Sequence, residues 1–176
     1  RDELLPYEIE EFVGRTFFRN VGSINRTGLE MFLRHPFTDR FSISTNWVYN
    51  RFRFTEYELD GENYAGNVLP GLPDFQGFIQ VDFTVLKHLK VNVQNQFFGK
   101  IFMSDSNDTF QRPVYISNIS LKYIIKRVRI SWHPYIGVNN MFGTNYADNI
   151  RINAFGARYY EAAAPAFLYG GLRVRI

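Results

Sequence analysis

The strictest constraint in this sequence is a two-residue alternation of apolar and polar side chains that continues over unusually long segments. It is clearest in residues 75–86 and 91–101. Because successive side chains of a β-strand point to opposite faces, the pattern predicts strands with one apolar and one polar face. In the first segment the apolar face carries Phe75, Gly77, Ile79, Val81, Phe83 and Val85.

Eight such strands are predicted, separated by segments of unequal length. The strands span residues 3–10, 23–34, 40–56, 74–86, 90–103, 113–125, 128–141 and 166–176. Short turns at 35–39, 87–89 and 126–127 alternate with long loops at 11–22, 57–73, 104–112 and 142–165. An antiparallel meander with short turns at one end and long loops at the other is typical of an up-and-down barrel, particularly one in an outer membrane.

The polar face of these strands predicts the lining of a wide, hydrated lumen, since a small closed barrel fills its interior with packed side chains. The lining would consist of Gln76, Gln80, Asp82, Asn92, Gln94 and Gln96. Aromatic residues would mark the two membrane interfaces, namely Trp47, Tyr49, Tyr115, Tyr123, Trp132 and Phe167. A soluble antiparallel sandwich also alternates and is the alternative. Strand length and loop asymmetry argue against it.

Composition excludes several functional classes. The net charge of +3 is small and its cations are dispersed, so no nucleic-acid partner is predicted. The absence of cysteine excludes disulfides and cysteine metal sites. No apolar run reaches the roughly 18 residues of a membrane helix. The chain begins at Arg1 without a leader pattern, so we expect a mature protein or a fragment.

Catalytic and cofactor motifs are scarce, and we predict neither an enzyme nor a bound cofactor. Ser131, His133 and Asp82 could be imagined as a triad, but nothing in their spacing supports one. Pro134 cannot donate to a strand ladder, so a local break is predicted there. The oxygen-rich segments 60–63 and 103–110 suit solvated turns, with calcium binding as the alternative.

Three segments resemble TonB-dependent outer-membrane receptors. ELLPYEIEEFVGRTFFRNVGSINRTGLEMFL (3–33) has the family's Pro-Tyr-Glu, its aromatic-Arg-Asn-Val-Gly group and its closing Gly-Leu-Glu in order. YAGNVLPGLPDFQ (64–76) resembles its loop-to-strand passage. IGVNNMFGTNYADNIRINAFGARYYEAAAPAFLYGGLRVRI (136–176) is similar to its C-terminal end, including the Tyr-Tyr-Glu-x-Ala-x-Pro loop.

This resemblance implies an all-β fold, in which residues 1–176 form the C-terminal third of an antiparallel transmembrane β-barrel of about 22 strands. The family's plug domain lies outside these residues. The last strand would run from the outside to the periplasm, which places the short turns in the periplasm and the long loops outside. The implied function is TonB-dependent uptake of a scarce nutrient, a ferric siderophore in particular, across the bacterial outer membrane.

The resemblance also implies partners: outer-membrane lipid and lipopolysaccharide, the rest of the barrel with its plug, TonB through that plug, and a small metal chelate as cargo. Arginines and aromatic side chains in the long loops suit the oxygen atoms and flat surfaces of such a chelate. Alternatively, the tyrosines and phenylalanines form the outer aromatic girdle, and the arginines face lipopolysaccharide phosphates. The predicted ligand-binding residues are Phe17, Phe18, Arg19, Tyr57, Asp60, Tyr64, Phe110, Arg112, Arg151, Arg158, Tyr159 and Tyr160.

Two other functions fit a self-contained outer-membrane barrel of eight strands. One is a lipid-modifying enzyme, and the other is a non-catalytic anchoring or adhesion protein. Both require the ring to close, so both predict that strand 3–10 pairs with strand 166–176. If the chain is one part of a wider barrel, these two strands lie apart.

Overall fold

A computed structural model describes residues 2–7, 9–12 and 15–176. Its strands are β1 (Asp2–Tyr7), β2 (Phe17–Thr38), β3 (Phe41–Glu56), β4 (Glu58–Leu59), β5 (Glu62–Asn63), β6 (Phe75–Leu86), β7 (Leu89–Phe98), β8 (Ile101–Phe102), β9 (Phe110–Gln111), β10 (Val114–Tyr123), β11 (Ile125–Lys126), β12 (Ser131–Asn139), β13 (Ala147–Ile150), β14 (Tyr160–Ala162) and β15 (Phe167–Arg175). Two 3-10 turns span Glu10–Phe12 and Phe155–Ala157. Among the described residues, no helix is long and apolar enough to cross a membrane.

The eight long strands form one antiparallel meander in the order β1-β2-β3-β6-β7-β10-β12-β15. Short connections at 39–40, 87–88 and 127–130 lie at one end, which we call the short-turn end. Segments 57–74, 99–113 and 140–166 lie at the other, the long-loop end. The eight predicted strands and the alternation of their connections are therefore confirmed, but the predicted loop 11–22 is wrong from residue 17 onward, where β2 begins.

The sheet is open in the described part of the chain. β1 pairs with β2 and β15 pairs with β12, so the two strands occupy opposite edges. The pairing of first and last strands that both self-contained barrels require is not formed. An edge left open within lipid would expose unpaired backbone groups, so a wall of this kind needs further strands on both sides.

One face of the sheet is apolar and exposed. A single register row crosses it at the long-loop end through Met31, Trp47, Gly77, Phe97 and Tyr115. Trp47 stacks on Phe97 at 5.8 Å between ring centroids, and Phe97 lies 4.9 Å from Tyr115. Aromatic residues in such a row are typical of a membrane interface.

Tyr123 and Trp132 lie near the short-turn end, as predicted for the second aromatic belt. Phe167 departs from the prediction, because it pairs with Asn139 and lies on the face opposite Leu168. Alternation along β15 therefore directs it away from the lipid-facing side.

The opposite face carries the predicted polar lining. Ser44, Gln80, Gln94 and Asn118 form one register row, and the next row contains Asp82 and Asn92. Asp82 accepts hydrogen bonds from Gln80 Nε2 at 2.7 Å and from Asn92 Nδ2 at 2.8 Å. These polar side chains satisfy one another's hydrogen-bonding groups along the wall, as expected for the lining of a hydrated lumen.

The predicted break at Pro134 is found on one side of β12 only. The ladder to β10 ends at the pair Lys122–Tyr135 and resumes in β11 at Ile125–Trp132, so it skips the residues opposite Pro134. Towards β15 the register is continuous through Pro134–Leu172. The missing amide of proline thus interrupts one of its two ladders.

Candidate functional site: the long-loop cluster

Segments 57–74, 99–113 and 140–166, which we call the long-loop cluster, pack against one another above the sheet. Its apolar centre is formed with the upper ends of β2 and β3 by Ile24, Phe54, Tyr57 and Leu69, with Phe52, Leu59 and Tyr64 packed around them. Phe54 is 1% exposed, and its ring lies 4.8 Å from that of Tyr57. β3 therefore continues, still paired with β2, beyond the end of its ladder to β6 and supports the loops.

Hydrogen bonds join segment 57–74 to segment 99–113. Tyr57 Oη donates to Asp105 Oδ2 at 2.8 Å, and Asn67 Nδ2 donates to the Asp105 carbonyl at 2.8 Å. The Asn107 side chain accepts from the Val68 amide at 2.7 Å and donates to the Val68 carbonyl at 2.8 Å. The Asn107 side chain thus makes the same two hydrogen bonds to the Val68 backbone that a residue of a neighbouring β-strand would make.

Segment 140–166 is joined to segment 99–113 in a similar way. Asn153 Oδ1 accepts from the Asp105 amide at 3.0 Å, while the Asn153 amide donates to the Met103 carbonyl at 2.9 Å. Gln111 Oε1 accepts from the Ala147 amide at 2.7 Å. The three segments therefore form one connected unit with segment 99–113 at its centre.

Two titratable groups in the cluster have shifted pKa values. The Ser104 hydroxyl donates to Asp108 Oδ1 at 2.5 Å and lowers the pKa of that carboxyl, against an opposing effect of burial. Burial raises the pKa of the Tyr146 phenol, and the Asp148 carboxylate adds to the effect. Both shifts favour the forms that these groups have at neutral pH, the Asp108 carboxylate and the Tyr146 phenol.

The predicted site residues do not all lie where the sequence places them. Phe17, Phe18 and Arg19 were expected in a loop but lie in β2, paired with Tyr7, Pro6 and Leu5 of β1. The reason is that β2 extends far past the aromatic row. It passes Gly22, whose missing Cβ leaves room for the Glu56 carbonyl. The glycine allows close strand approach rather than ending the strand.

The remaining predicted residues fall into separate groups. Tyr57 and Tyr64 are part of the apolar centre, where they support the loops. Arg151, Tyr159 and Tyr160 lie together at the β13–β14 hairpin beside Arg158, with Arg151 Nη2 3.0 Å from Glu161 Oε1. Phe110 lies under Lys100, 4.2 Å from ring centroid to Nζ. Asp60 and Arg112 are exposed elsewhere on the loops.

The sequence analysis missed the amides that join the loops. Asn107 and Asn153 have φ values of 60° and 52°, a left-handed conformation that asparagine tolerates better than most residues. The sequence predicts solvated turns for segment 103–110, which contains Asn107, with calcium binding as the alternative, and it does not single out Asn153. In the described part of the chain, no group of three or more His, Cys, Asp or Glu side chains could hold a metal ion.

The imagined triad does not assemble. His133 Nε2 lies 3.0 Å from Ser131 Oγ, but Asp82 belongs to the Gln80–Asn92 network on β6. β7 and β10 lie between β6 and β12 in the sheet. The Ser131–His133 pair is therefore a polar contact on the lumen wall, where β12 pairs with β15.

Comparison with solved structures decides the fold. The siderophore receptor PiuA from Acinetobacter baumannii matches 97% of this chain with a TM-score of 0.71 at 17% identity. The ferric citrate transporter FecA matches 86% with a TM-score of 0.72 at 20% identity. The ferric yersiniabactin uptake receptor FyuA from Yersinia pestis matches 91% with a TM-score of 0.68 at 21% identity.

The chain has the fold of the C-terminal barrel portion of a TonB-dependent siderophore receptor. It spans about a quarter of the length of these solved receptors, 24% in each of the three. A scan against models of known protein families finds no match. In the described residues, β1 and β15 form the two edges of the sheet.

Proposed function

We propose that this chain is the C-terminal wall of an outer-membrane receptor that imports an iron–siderophore complex with energy supplied through TonB. The observation that carries the proposal is the open eight-stranded wall, apolar on one face and polar on the other, which has the fold of siderophore receptors. In this role the wall holds the long loops outside and the short turns in the periplasm, and no bond is made or broken by its residues.

Ligand contact is proposed for the exposed part of the long-loop cluster. Arg158, Tyr159 and Tyr160 lie at the β13–β14 hairpin, and Tyr160 is 62% exposed. Guanidinium groups bind carboxylate and catecholate oxygens with fixed geometry, while tyrosine rings provide flat apolar contact. Asp60, Phe110, Arg112 and Arg151 are further candidates in the loops, and Phe17, Phe18 and Arg19 are candidates at the end of β2.

Radiolabelled iron uptake tests the proposal in cells that produce the full-length receptor. We expect uptake of ferric siderophores that stops when TonB is deleted or the proton gradient is collapsed. Binding to the cells should persist in both conditions, because binding precedes the energised step. Uptake that continues without TonB, or failure of every ferric chelate to bind, would contradict the proposed function.

A further inference from the structure

A cavity with a volume of about 1180 Å³ lies against the polar face of the sheet at the short-turn end, and we call it the luminal basin. Its lining comes from the short-turn ends of β2, β3, β6, β7 and β10 and from the turn at 39–40, so it is separate from the long-loop cluster. Pockets for drug-sized molecules hold roughly 300–1,000 Å³, so a metal chelate has room in the basin. The charged lining residues are the cations Arg34, Arg40, Lys90 and Lys122 and the carboxylates Asp39 and Asp82.

The positive charge of the basin is not neutralised by its own residues. Among the residues that the structure describes, none of the four cations lies in an ion pair. Asp82 already accepts hydrogen bonds from Gln80 and Asn92, so its carboxylate belongs to the neutral amide network above the basin. Four cations therefore face a space that holds one further carboxylate, Asp39.

Two of these cations face each other directly across the sheet. Lys90 of β7 pairs with Lys122 of β10, and like charges at facing positions of a sheet repel and destabilise the pair. Thr84 lies beside Lys90 on β6 and Tyr135 lies beside Lys122 on β12, so neither neighbour supplies a negative charge. An anion that lies between the two ammonium groups would remove this repulsion.

The positive surface continues onto the last strand of the sheet. Arg173 pairs with His133 and Arg175 pairs with Ser131, whose contact lies on the lumen wall. Both arginines are exposed. The periplasmic end of the proposed lumen wall is thus positive from β2 to β15.

The polar face of the sheet changes in character between its two ends. Towards the long loops it carries three phenylalanines, Phe32, Phe78 and Phe98, in rows that also contain amide side chains. The neutral amides around Asp82 follow, and the cations of the basin come last. Positive charge therefore increases along the wall from the long loops to the short turns. A charged lining in a low-dielectric wall attracts and concentrates ions of the opposite sign.

We propose that the luminal basin is a second, weaker site for the cargo, which takes up negatively charged ferric chelates during their passage to the periplasm. Catecholate and carboxylate chelates of ferric iron are anions, whereas a ferric tris-hydroxamate without other charged groups is neutral. Lysine and arginine bind the outer oxygens of such anions through charge-assisted hydrogen bonds. Exposed cations suit a site on a transport path, because the path must also release what it binds.

The inference rests on the proposed function, which supplies the cargo and places the short turns in the periplasm. It adds a selection for anionic chelates in the transport step, apart from recognition by the outer loops. Substitution of the basin lysines should therefore slow uptake without weakening the initial binding of the chelate.

Uptake and binding by cells that produce the full-length receptor test the basin, with a ferric tris-catecholate, ferric citrate and a neutral ferric tris-hydroxamate as probes. We expect uptake of an anionic probe and not of the neutral one. Lys90→Gln/Lys122→Gln should lower the maximal uptake rate of the anionic probe at least about tenfold, in line with the effect of a charged lining on local ion concentration. Its binding affinity should stay unchanged. Lys90→Arg/Lys122→Arg keeps both charges and should transport like the wild type.

The matched control is Arg127→Gln/Arg129→Gln, which removes two cations from the short turn at 127–130 and should transport like the wild type. Because Lys90→Gln/Lys122→Gln relieves a like-charge pair, the heat stability of the receptor should be unchanged or higher, measured by the electrophoretic shift of heated samples. Lower heat stability together with lost chelate binding would show that the lysines hold the structure together and would overturn the proposal. Wild-type uptake by Lys90→Gln/Lys122→Gln, or uptake of the neutral probe as fast as that of the anions, would also overturn it. Failure of every probe to bind and enter would instead contradict the proposed function.

Discussion

Single asparagine residues make the contacts that join the long loops. Asn107 pairs in both directions with the Val68 backbone, and Asn153 bonds to both the Asp105 amide and the Met103 carbonyl. Both residues also adopt the left-handed conformation that these tight turns require. Side-chain chemistry and backbone conformation therefore select asparagine together.

Replacing Asn107 should loosen the connection between segments 57–74 and 99–113. Asn107→Gly keeps the favourable backbone but loses both hydrogen bonds to Val68, at a cost of about 1–3 kcal/mol. We expect the Val68 amide to exchange with solvent roughly tenfold to hundredfold faster, as measured by hydrogen–deuterium exchange of the full receptor. Asn107→Ala adds backbone strain and should be worse. Unchanged protection in Asn107→Gly would show that the side chain is dispensable.

Arg158 and Tyr159 test the ligand role of the β13–β14 hairpin. Arg158→Ala and Tyr159→Ala should each weaken ferric chelate binding about tenfold, since each removes a contact worth roughly 1–2 kcal/mol. Receptor abundance in the membrane should stay constant. Arg127→Ala, an exposed arginine at the short-turn end, is the control. Wild-type affinity in both hairpin variants would remove this hairpin from the site.

Asp108 predicts a pH dependence for the turn at 104–109. Its folded pKa lies below the ordinary value of 3.8, chiefly because of the Ser104 hydroxyl. The ionised Asp108 carboxylate therefore stabilises the folded turn. Its full contribution is present above the pKa of the unfolded chain, and it is lost as pH falls through the lower pKa of the folded state. Ser104→Ala should raise the Asp108 pKa, as read by carboxyl carbon NMR of the receptor labelled at aspartate. A titration identical to that of the wild type would contradict this account.

At the scale of elements, β12 and β15 interlock through glycine and tyrosine. A Cβ on Gly137 would lie 2.5 Å from the Tyr169 ring, and a Cβ on Gly171 would lie 2.5 Å from the Tyr135 hydroxyl. Each ring thus covers the glycine of the opposite strand. The arrangement holds the last strand of the segment, whose other edge is open in the described residues.

Gly137→Ala should therefore displace Tyr169 and weaken the pairing of β15 with β12. Overpacking of this kind costs about 1–3 kcal/mol. The full receptor should unfold at a lower temperature, measured by the electrophoretic shift of heated samples. Gly137→Ala with Tyr169→Ser should recover part of the loss, since the smaller side chain vacates the site. Additive losses in the double variant would argue against the interlock.

The sequence predicts the strands within the bilayer well and those beyond it less well. The ends of β6 agree with the prediction to within one residue and those of β7 to within five. The agreement arises because lipid on one face and water on the other impose a strict two-residue period. Phe17–Arg19 were misplaced because no bilayer constrains the outer end of β2. The contacts of Asn107 and Asn153 join segments far apart in sequence, so no local pattern reveals them.

At the scale of the whole molecule, the account depends on the wall being one part of a wider barrel. The long strands from β2 to β15 present a continuous apolar face and a continuous polar face, and β1 and β15 lie at opposite edges of the sheet. Seven strand spacings of about 4.8 Å separate those edges along the sheet. In a barrel of about 22 strands, the curvature is gentle enough to keep them far apart.

The distance between β2 and β15 in the full receptor tests this directly. The segment contains no cysteine, so Leu33→Cys and Leu168→Cys, which lie at nearly the same height on the sheet, can carry one spin label each once any cysteine elsewhere in the receptor is replaced. We predict a separation on the order of 30 Å by double electron–electron resonance, from the six strand spacings between them. A separation below about 15 Å, as in a sealed ring with only β1 between the two strands, would contradict the receptor-wall account.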